Sequence, residues 1–573
     1  MKKTIISERF KSILLAGTFS MIILELIPFA SYIIAGNLLG EEAIAAMSLT
    51  HPLIRLMEFG GELLAAGSLA LISYAAGRGE QHEVNQLYSQ TMFLAVTLGA
   101  AFSVAMFLFR EPILSFWEVS PTLTGYATEF FGGLIILPTF EFLSIFLSSL
   151  LLIQGEESLV AKASAVQLIA GVVLQFVLCK MFGLSGLSVA MSLSVILVVA
   201  IDATYLFSER CPLKFDFYLS VKKLREIFGL SFCVAMPELF LTILPVVVNT
   251  HLIAMHDEAY ITVFAVLNSL LGLAVAMFFG MDDVLQSLAC TYIGERNFCG
   301  LQKVMSLCVK TALLEGVLVA VVLLAGANFV PQIFAIDEPN LFQPAVDAVR
   351  IYAVFLGTIF FTLTYAFYYM YVERKLLSIF LQSLLLFLLP VACVNIFGDM
   401  FGLNGVWFGL GLGIALEFPI NVLLVKLIDM RSDGKLSGLL MIDHEVIARQ
   451  VSYDIMSTHD EVLSLVHNMQ TDLASWQLPE RKLRLLELFV EEIGMDAVDR
   501  AKQSGENFHV EITITNGAQV ELIVRDNGEL VDVTDVNVAP NSFRRYVVSQ
   551  VAEHMPFRSY ILIGGENRTV VKI

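Results

Sequence analysis

Twelve apolar stretches of about 18 residues or more recur between residues 12 and 427, and no other feature limits the fold as strongly. They lie near 12–36, 50–76, 87–109, 124–152, 159–181, 186–207, 227–254, 260–288, 304–332, 347–372, 376–397 and 403–427. Each is long enough to cross a hydrocarbon core about 30 Å thick, and in lipid only helices and closed barrels satisfy their own backbone. Of 573 residues, 57% are hydrophobic and 16% charged, and the mean hydropathy is +0.75, more apolar surface than one water-soluble core buries. The chain therefore reads as a polytopic all-α membrane protein with twelve transmembrane helices. Residues 440–573, polar and mixed in pattern, read as a C-terminal α+β sandwich domain.

Lys and Arg in the short loops set the orientation, because moving them outward is disfavoured. With the N-terminus inside, Lys2, Lys3, Arg9, Lys11, Arg78, Lys162, Arg210, Lys214, Lys222, Lys223, Arg225, Arg296, Lys303, Arg374, Lys375, Lys426, Arg431 and Lys435 are cytoplasmic, against Arg110, Lys180 and Arg350 outside. An even number of spans then puts the C-terminal domain in the cytoplasm, with the plasma (inner) membrane as the expected location. The first apolar run is too long for a cleavable signal peptide. Seven cysteines without a CxxC pair argue against a disulfide framework or a zinc site. The net charge of −19 is spread along the chain, and no basic stripe with interleaved aromatics points to nucleic acid.

The two halves echo each other at an offset of 217 to 219 residues. Gly77-Arg78-Gly79-Glu80 answers Gly294-Glu295-Arg296-Asn297, and Phe116-Trp117-Glu118 answers Phe334-Ala335-Ile336-Asp337. Phe182-Gly183-Leu184-Ser185-Gly186-Leu187 answers Phe401-Gly402-Leu403-Asn404-Gly405-Val406. Six spans separate the copies, so residues 1–215 and 216–430 form two parallel six-helix repeats. Parallel repeats of this kind build transporters with a substrate site between the lobes.

The segment Ile33-Ile34-Ala35-Gly36-Asn37-Leu38-Leu39-Gly40-Glu41-Glu42-Ala43-Ile44-Ala45-Ala46-Met47-Ser48-Leu49-Thr50-His51-Pro52, with Ala76-Gly77-Arg78-Gly79 and Gln154-Gly155, resembles the multidrug and toxic compound extrusion (MATE) exporters over residues 10–430. The resemblance implies a two-lobe antiporter that expels organic cations or amphiphilic drugs against sodium or proton entry. It also implies a seventh-helix glutamate, here Glu238, as ion or substrate ligand. The family's aspartate five residues before the first-helix glycine is replaced by Ser31.

Charges inside the membrane cost at least ~2.5 kcal/mol each on insertion scales, so they are candidates for function. Glu25 and Glu238 occupy related repeat positions, beside Pro28 and Pro237, whose missing N–H groups loosen the local ladder. Arg55, Glu58 and Glu62 share one helical face, where one arginine cannot neutralise two glutamates. Asp282 and Asp283, with Glu141, Glu315 and Glu417, outweigh Lys310 and make the interior attractive to cations. A lipid-precursor flippase would want basic cavity residues. The alternative from another class is a membrane-tethered sensor using a transporter fold.

Arg431 to Lys435 read as a short linker, residues 443–504 as helical, and residues 508–526 as a hairpin with Val510, Ile512 and Ile514 facing Val520, Leu522 and Val524. Glu491-Glu492-Ile493-Gly494-Met495-Asp496-Ala497 and Arg525-Asp526-Asn527-Gly528 resemble the helix and first glycine boxes of histidine-kinase-like ATPases, especially anti-sigma-factor kinases. By that resemblance Glu492 is the general base, Asp496 replaces the magnesium-binding asparagine, Asp526 reads adenine, and Gly528 lets the backbone approach. Where the family has its second glycine-rich stretch, this chain has Asn541-Ser542-Phe543-Arg544-Arg545-Tyr546. A phosphate nest needs permissive residues, so ATP and magnesium are expected to bind weakly at most, and ATPase or kinase activity is not expected. A regulatory role or a cytoplasmic protein partner is the expected use of the domain.

Overall fold

The computed structural model describes residues 4–115, 121–209, 211–216, 218–254, 260–334, 339–456, 458–504, 509–528, 543–555, 557–563 and 566–573. The first half contains α1 (Ile5–Leu39), α2 (Glu41–Arg78), α3 (Gln81–Ser115), α4 (Pro121–Leu134), α5 (Leu137–Gln154) and α6 (Glu157–Leu206). The second contains α7 (Val221–Ala254), α8 (Tyr260–Val284), α9 (Cys290–Gly294), α10 (Phe298–Gly326), α11 (Phe329–Ile333), α12 (Pro339–Leu356), α13 (Thr358–Tyr371), α14 (Lys375–Ser383), α15 (Leu389–Phe401) and α16 (Leu403–Arg431). Thr4 opens the bundle with a reciprocal cap, its side chain accepting from the Ser7 amide.

Among the described residues, ten helices are long and apolar enough to cross a membrane, or eleven when α12 and α13, bent by 41°, count as one span. Twelve were expected. The difference lies in α6, whose 50 residues run about 75 Å at 1.5 Å each, more than twice the hydrocarbon thickness. Gly183 inside it has φ 63° and ψ −144°, a combination reserved to glycine, and Gly402 between α15 and α16 has the same angles.

Two turns matched in sequence thus share backbone angles. Left-handed residues recur at matching turns, Gly79 with Arg296 and Gly155 with Glu373, although the second copy has no glycine there. The halves meet through a reciprocal contact at the ends of α2 and α9. A Cβ on Gly77 would lie 2.2 Å from the Thr291 carbonyl oxygen, and one on Gly294 would lie 2.3 Å from that of Tyr74. Only glycine allows this approach, which closes the bundle on the side that carries Thr4 and Arg431, called here the domain side.

After α16 the chain does not hang free. The Leu436 amide donates to Asp429 over 2.9 Å, the Tyr368 hydroxyl donates to the Leu440 carbonyl over 2.9 Å, and Met441 and Ile442 bury into the bundle's apolar core. The domain holds α17 (His444–Ala448), α18 (His459–Asp472), α19 (Glu480–Ser504) and α20 (Phe543–Glu553). Its strands are β1 (Gln450–Met456), β2 (His509–Asn516), β3 (Val520–Asp526), β4 (Phe557–Ile563) and β5 (Glu566–Lys572). They form one antiparallel sheet in the order β1-β2-β3-β5-β4. The expected hairpin is present, with Ile514 opposite Leu522 and Ile512 opposite Val524. Val510, Ile512, Ile514, Leu522 and Val524 bury against Val462, Leu486, Phe489 and Ile493 of α18 and α19, one helical layer on one sheet face.

Candidate functional site

The interior carboxylates come from different helices and form a line. Glu58 and Glu62 lie one turn apart on α2, and both are within electrostatic reach of Glu141 on α5, which is buried. Glu62 is also within reach of Asp283 on α8, which adjoins Asp282. Arg55 pairs with Glu58 at 3.1 Å at one end of the line and is 44% exposed.

Asp282 is held in place: the Tyr371 hydroxyl donates to it over 2.7 Å and the Gln286 amide over 2.9 Å. Asp283 faces the seam between the halves, since a Cβ on Gly17 of α1 would lie 2.4 Å from its Oδ2. A π-helical turn, Leu285–Ala289, follows directly, and such turns cluster at functional sites. The side chains of Glu25 and Glu238 lie outside the described residues. Among the described residues no group of three or more His, Cys, Asp or Glu could hold a metal ion.

A cavity opens within the first half, lined by Ser31 and Tyr32 of α1, Arg55 and Glu58 of α2, Glu141 of α5 and Gln167 of α6, among mostly apolar neighbours. Ser31, which stands where an aspartate was expected, donates to Gln175 over 2.8 Å, so this part of the wall is neutral.

In the domain, the two candidate nucleotide carboxylates are joined by a residue that sequence reasoning missed. Arg500, one turn after Asp496 on α19, pairs with it at 3.0 Å and holds Asp526 through two donors at 2.9 Å each. Asp526 also accepts from Asn567 at 2.7 Å and from the Gly528 amide at 3.1 Å. Burial alone would lower the Arg500 pKa, but Asp526 and Asp496 hold it above the ordinary value. The signal was legible as an i, i+4 spacing from Asp496. Glu492 is half-buried on the same helix. Arg544 turns to Asp499 at 3.7 Å, and residues 529–542, including Asn541 and Ser542 of the expected phosphate lid, lie outside the described residues.

The sheet's other face meets the bundle. β2 alternates polar with apolar residues as a water-facing strand would, yet its Glu511 and Thr513 are buried, as are Arg525 of β3 and Arg568 of β5. They cover the domain-side ends of both halves. Glu295, between α9 and α10, pairs with Arg525 and, at 2.6 Å, with Arg568. Arg568 also donates to the Gly77 carbonyl of the first half over 2.7 Å. Around this centre, the Tyr292 hydroxyl donates to Glu511 over 2.7 Å and Lys303 pairs with Asp454 at 2.7 Å. Arg525 stacks 4.5 Å from the Tyr292 ring centre, and Arg9 of α1 reaches Glu566 at 3.9 Å. Burial raises the pKa of Glu511 and of Glu566, opposed by Arg525 and Lys303 at the first and by Arg9 and Arg525 at the second. Neither Glu295 nor the arginines stood out in the sequence, because the pairing joins residues 230 positions apart.

The family model MatE matches residues 17–177. No curated protein matches the chain in sequence. Solved structures share the membrane fold at low identity. An outward-facing multidrug resistance MATE family transporter of the MOP superfamily is 18% identical at TM-score 0.69, covering 75% of this chain and 97% of that one. A MATE protein in complex with MaD5 is 19% identical at TM-score 0.68, covering 76% and 99%. A MOP superfamily transporter from Pyrococcus furiosus Vc1, described as having reverse polarity of its binding pocket, is 18% identical at TM-score 0.68, covering 75% and 97%.

Proposed function

We propose that the chain is a secondary exporter of the MATE type, with twelve crossings in two six-helix lobes that expose a central site alternately to either side. The twelfth crossing comes from reading α6 as two spans that turn at Gly183, as α15 and α16 turn at Gly402. The observation that carries the reading is the interior line of Glu58, Glu141, Glu62, Asp283 and Asp282 offset by Arg55 at one end, a field that attracts cations. The substrate class is organic cations or cationic amphiphiles, and the driving ion is sodium or the proton. Glu238 and Glu25 belong to this proposal through their repeat-related positions beside prolines.

The location is the plasma membrane with both termini in the cytoplasm, in line with the basic loops. The C-terminal domain is a docked regulatory module rather than a nucleotide enzyme. Arg500 supports this by occupying with its guanidinium the two carboxylates that magnesium and adenine would need. Docked, the domain ties the end of α2 to the α9–α10 turn and so restrains separation of the halves on that side. A protein partner that acts on it would act on this restraint.

The test is uptake of a cationic dye into inverted vesicles under separate sodium and proton gradients. Gradient-driven uptake that collapses in Glu238→Gln, at unchanged protein level, supports the exporter. Saturable dye binding without uptake supports instead a sensor built on this fold.

A further inference from the structure

Residues 207–220 join the two halves without helix or strand among their described residues, and they are strapped to the first half. The Lys214 amide donates to Asn85 over 3.0 Å, the Asp216 amide to Ser89 over 2.7 Å and the Ser220 amide to Gln90 over 3.3 Å, all on α3. His82 of α3 pairs with Asp216 at 2.9 Å, and Glu83 with Lys223 of α7 at 3.2 Å. The straps also fix the depth of the segment. The stretch of α3 suited to cross a membrane, Gln81–Pro112, has 32 residues. At 1.5 Å per residue it runs about 48 Å, roughly 18 Å more than the hydrocarbon core. Divided between the two ends, that excess brings the boundary between hydrocarbon and headgroups to the level of residues 85–90, about 6 to 14 Å from the start of α3 on the domain side.

At that level the segment shows apolar and basic side chains together. Phe207 is 90% exposed, Phe215 68% and Val221 79%, with Tyr218 exposed among them although the docked domain lies on the same side. Lys214, Lys222 and Arg225 are exposed as well, and their charged groups make no ion pair among the described residues. Residues 211–226 carry four basic side chains against Asp216 and Glu226, in a chain whose net charge is −19. In water, such exposure of large apolar side chains forgoes burial that a lipid surface supplies. Aromatic rings settle at the headgroup level, where long basic side chains reach phosphate, and an anionic leaflet favours each basic residue roughly fivefold.

We propose that the segment between the halves is a docking surface for anionic phospholipid, with Phe215, Tyr218 and Val221 set into the headgroup layer and Lys214, Lys222 and Arg225 on its phosphates. The inference needs the bundle to lie in a membrane and does not rest on the exporter reading. Lys214 is strapped to α3 of the first half, while Lys222 and Arg225 open α7 of the second. Lipid charge therefore acts at the covalent connection between the halves.

The test uses the full chain in nanodiscs of phosphatidylcholine and phosphatidylglycerol, with Phe215→Trp as a fluorescent reporter and the signal of the three native tryptophans subtracted. Brominated phosphatidylglycerol and brominated phosphatidylcholine are compared as quenchers at equal mole fraction. Both lipids should quench, with the anionic one preferred on the order of fivefold or more at low salt. The preference should shrink as salt rises, because the charges are exposed. Combining Lys214→Gln, Lys222→Gln and Arg225→Gln in the reporter background should bring the ratio close to one while quenching by phosphatidylcholine persists. The thermal transition of each variant reports folding. Equal quenching by the two lipids before the basic residues are changed overturns the proposal, as does an undiminished preference in the folded triple variant. Quenching by neither lipid also overturns it: a reporter open to acrylamide then lies in water, and a shielded one lies against protein, a second copy or residues 529–542.

Discussion

Replacing Glu295 by Gln removes the one negative charge that Arg525 and Arg568 share while preserving the side-chain volume. Glu295 has a side chain with no exposure, and the two arginine side chains are each 4% exposed, so water cannot take over its role. Breaking one partner of a buried pair costs about 3–5 kcal/mol, because the remaining charges stay buried and uncompensated. Gln keeps one acceptor oxygen, which places the expected loss near the lower end, about 3 kcal/mol, a shift of roughly a hundredfold in the docking equilibrium. Lys303→Ala is the milder contrast, since its pair with Asp454 is 34% and 30% exposed, such pairs are worth about 1 kcal/mol or less, and buried Glu511, 3.9 Å from Lys303, keeps Arg525. Hydrogen exchange on the full chain in nanodiscs reads the difference at the Phe298 amide, which the docked Gln450 side chain accepts over 2.8 Å. Limited proteolysis of residues 431–443 reads the same event. In Glu295→Gln the loop loses protection and the linker becomes cleavable, while Lys303→Ala stays close to wild type. Protection unchanged in folded Glu295→Gln would refute the buried charge centre as the origin of docking.

Arg500→Ala leaves Asp496 and Asp526 buried side by side without their cation, so the domain should lose about 3–5 kcal/mol and melt earlier by calorimetry, without gaining ATP affinity; tight ATP binding in the wild type, abolished by Asp526→Ala, would contradict the sealed cleft. Gly294→Ala drives a methyl group into the Tyr74 carbonyl, an overpacking cost of about 1–3 kcal/mol that should part α2 from α9 and raise cysteine labelling on the domain side. Docking should also respond to pH. Glu511 and Glu566 titrate above their usual value of 4.5 when docked, so the docked form binds more protons. It therefore gains stability as pH falls through those raised values toward 4.5 and loses that gain as pH rises back through them, a trend that exchange at several pH values measures.

The apolar helices, the matched turns and the hairpin were legible in the sequence because each is a local pattern. An apolar run of membrane length has few folded alternatives, and a matched turn such as Phe182-Gly183 and Phe401-Gly402 constrains its own backbone. The motif around Glu492 and Asp496 was legible in the same way, as a spacing along one helix. What the motif does was not, because the residue that closes it, Arg500, acts on Asp526 across 26 positions of chain. The polar face of β2 and β3 shows the limit most plainly. Glu511 and Thr513 alternate with apolar neighbours as they would on a sheet bathed in water, since period two reports only that the two faces differ. Whether water or the ends of α2 and α9 lie against that face depends on how two units with separate apolar cores meet. The sequence by itself determined the apolar helices, the matched turns and the hairpin with its apolar face. Only the tertiary structure decided that Glu295 would find two arginines and that the domain would sit across the ends of α2 and α9, because charge pairing over long separations depends on distance in space, which no local pattern encodes.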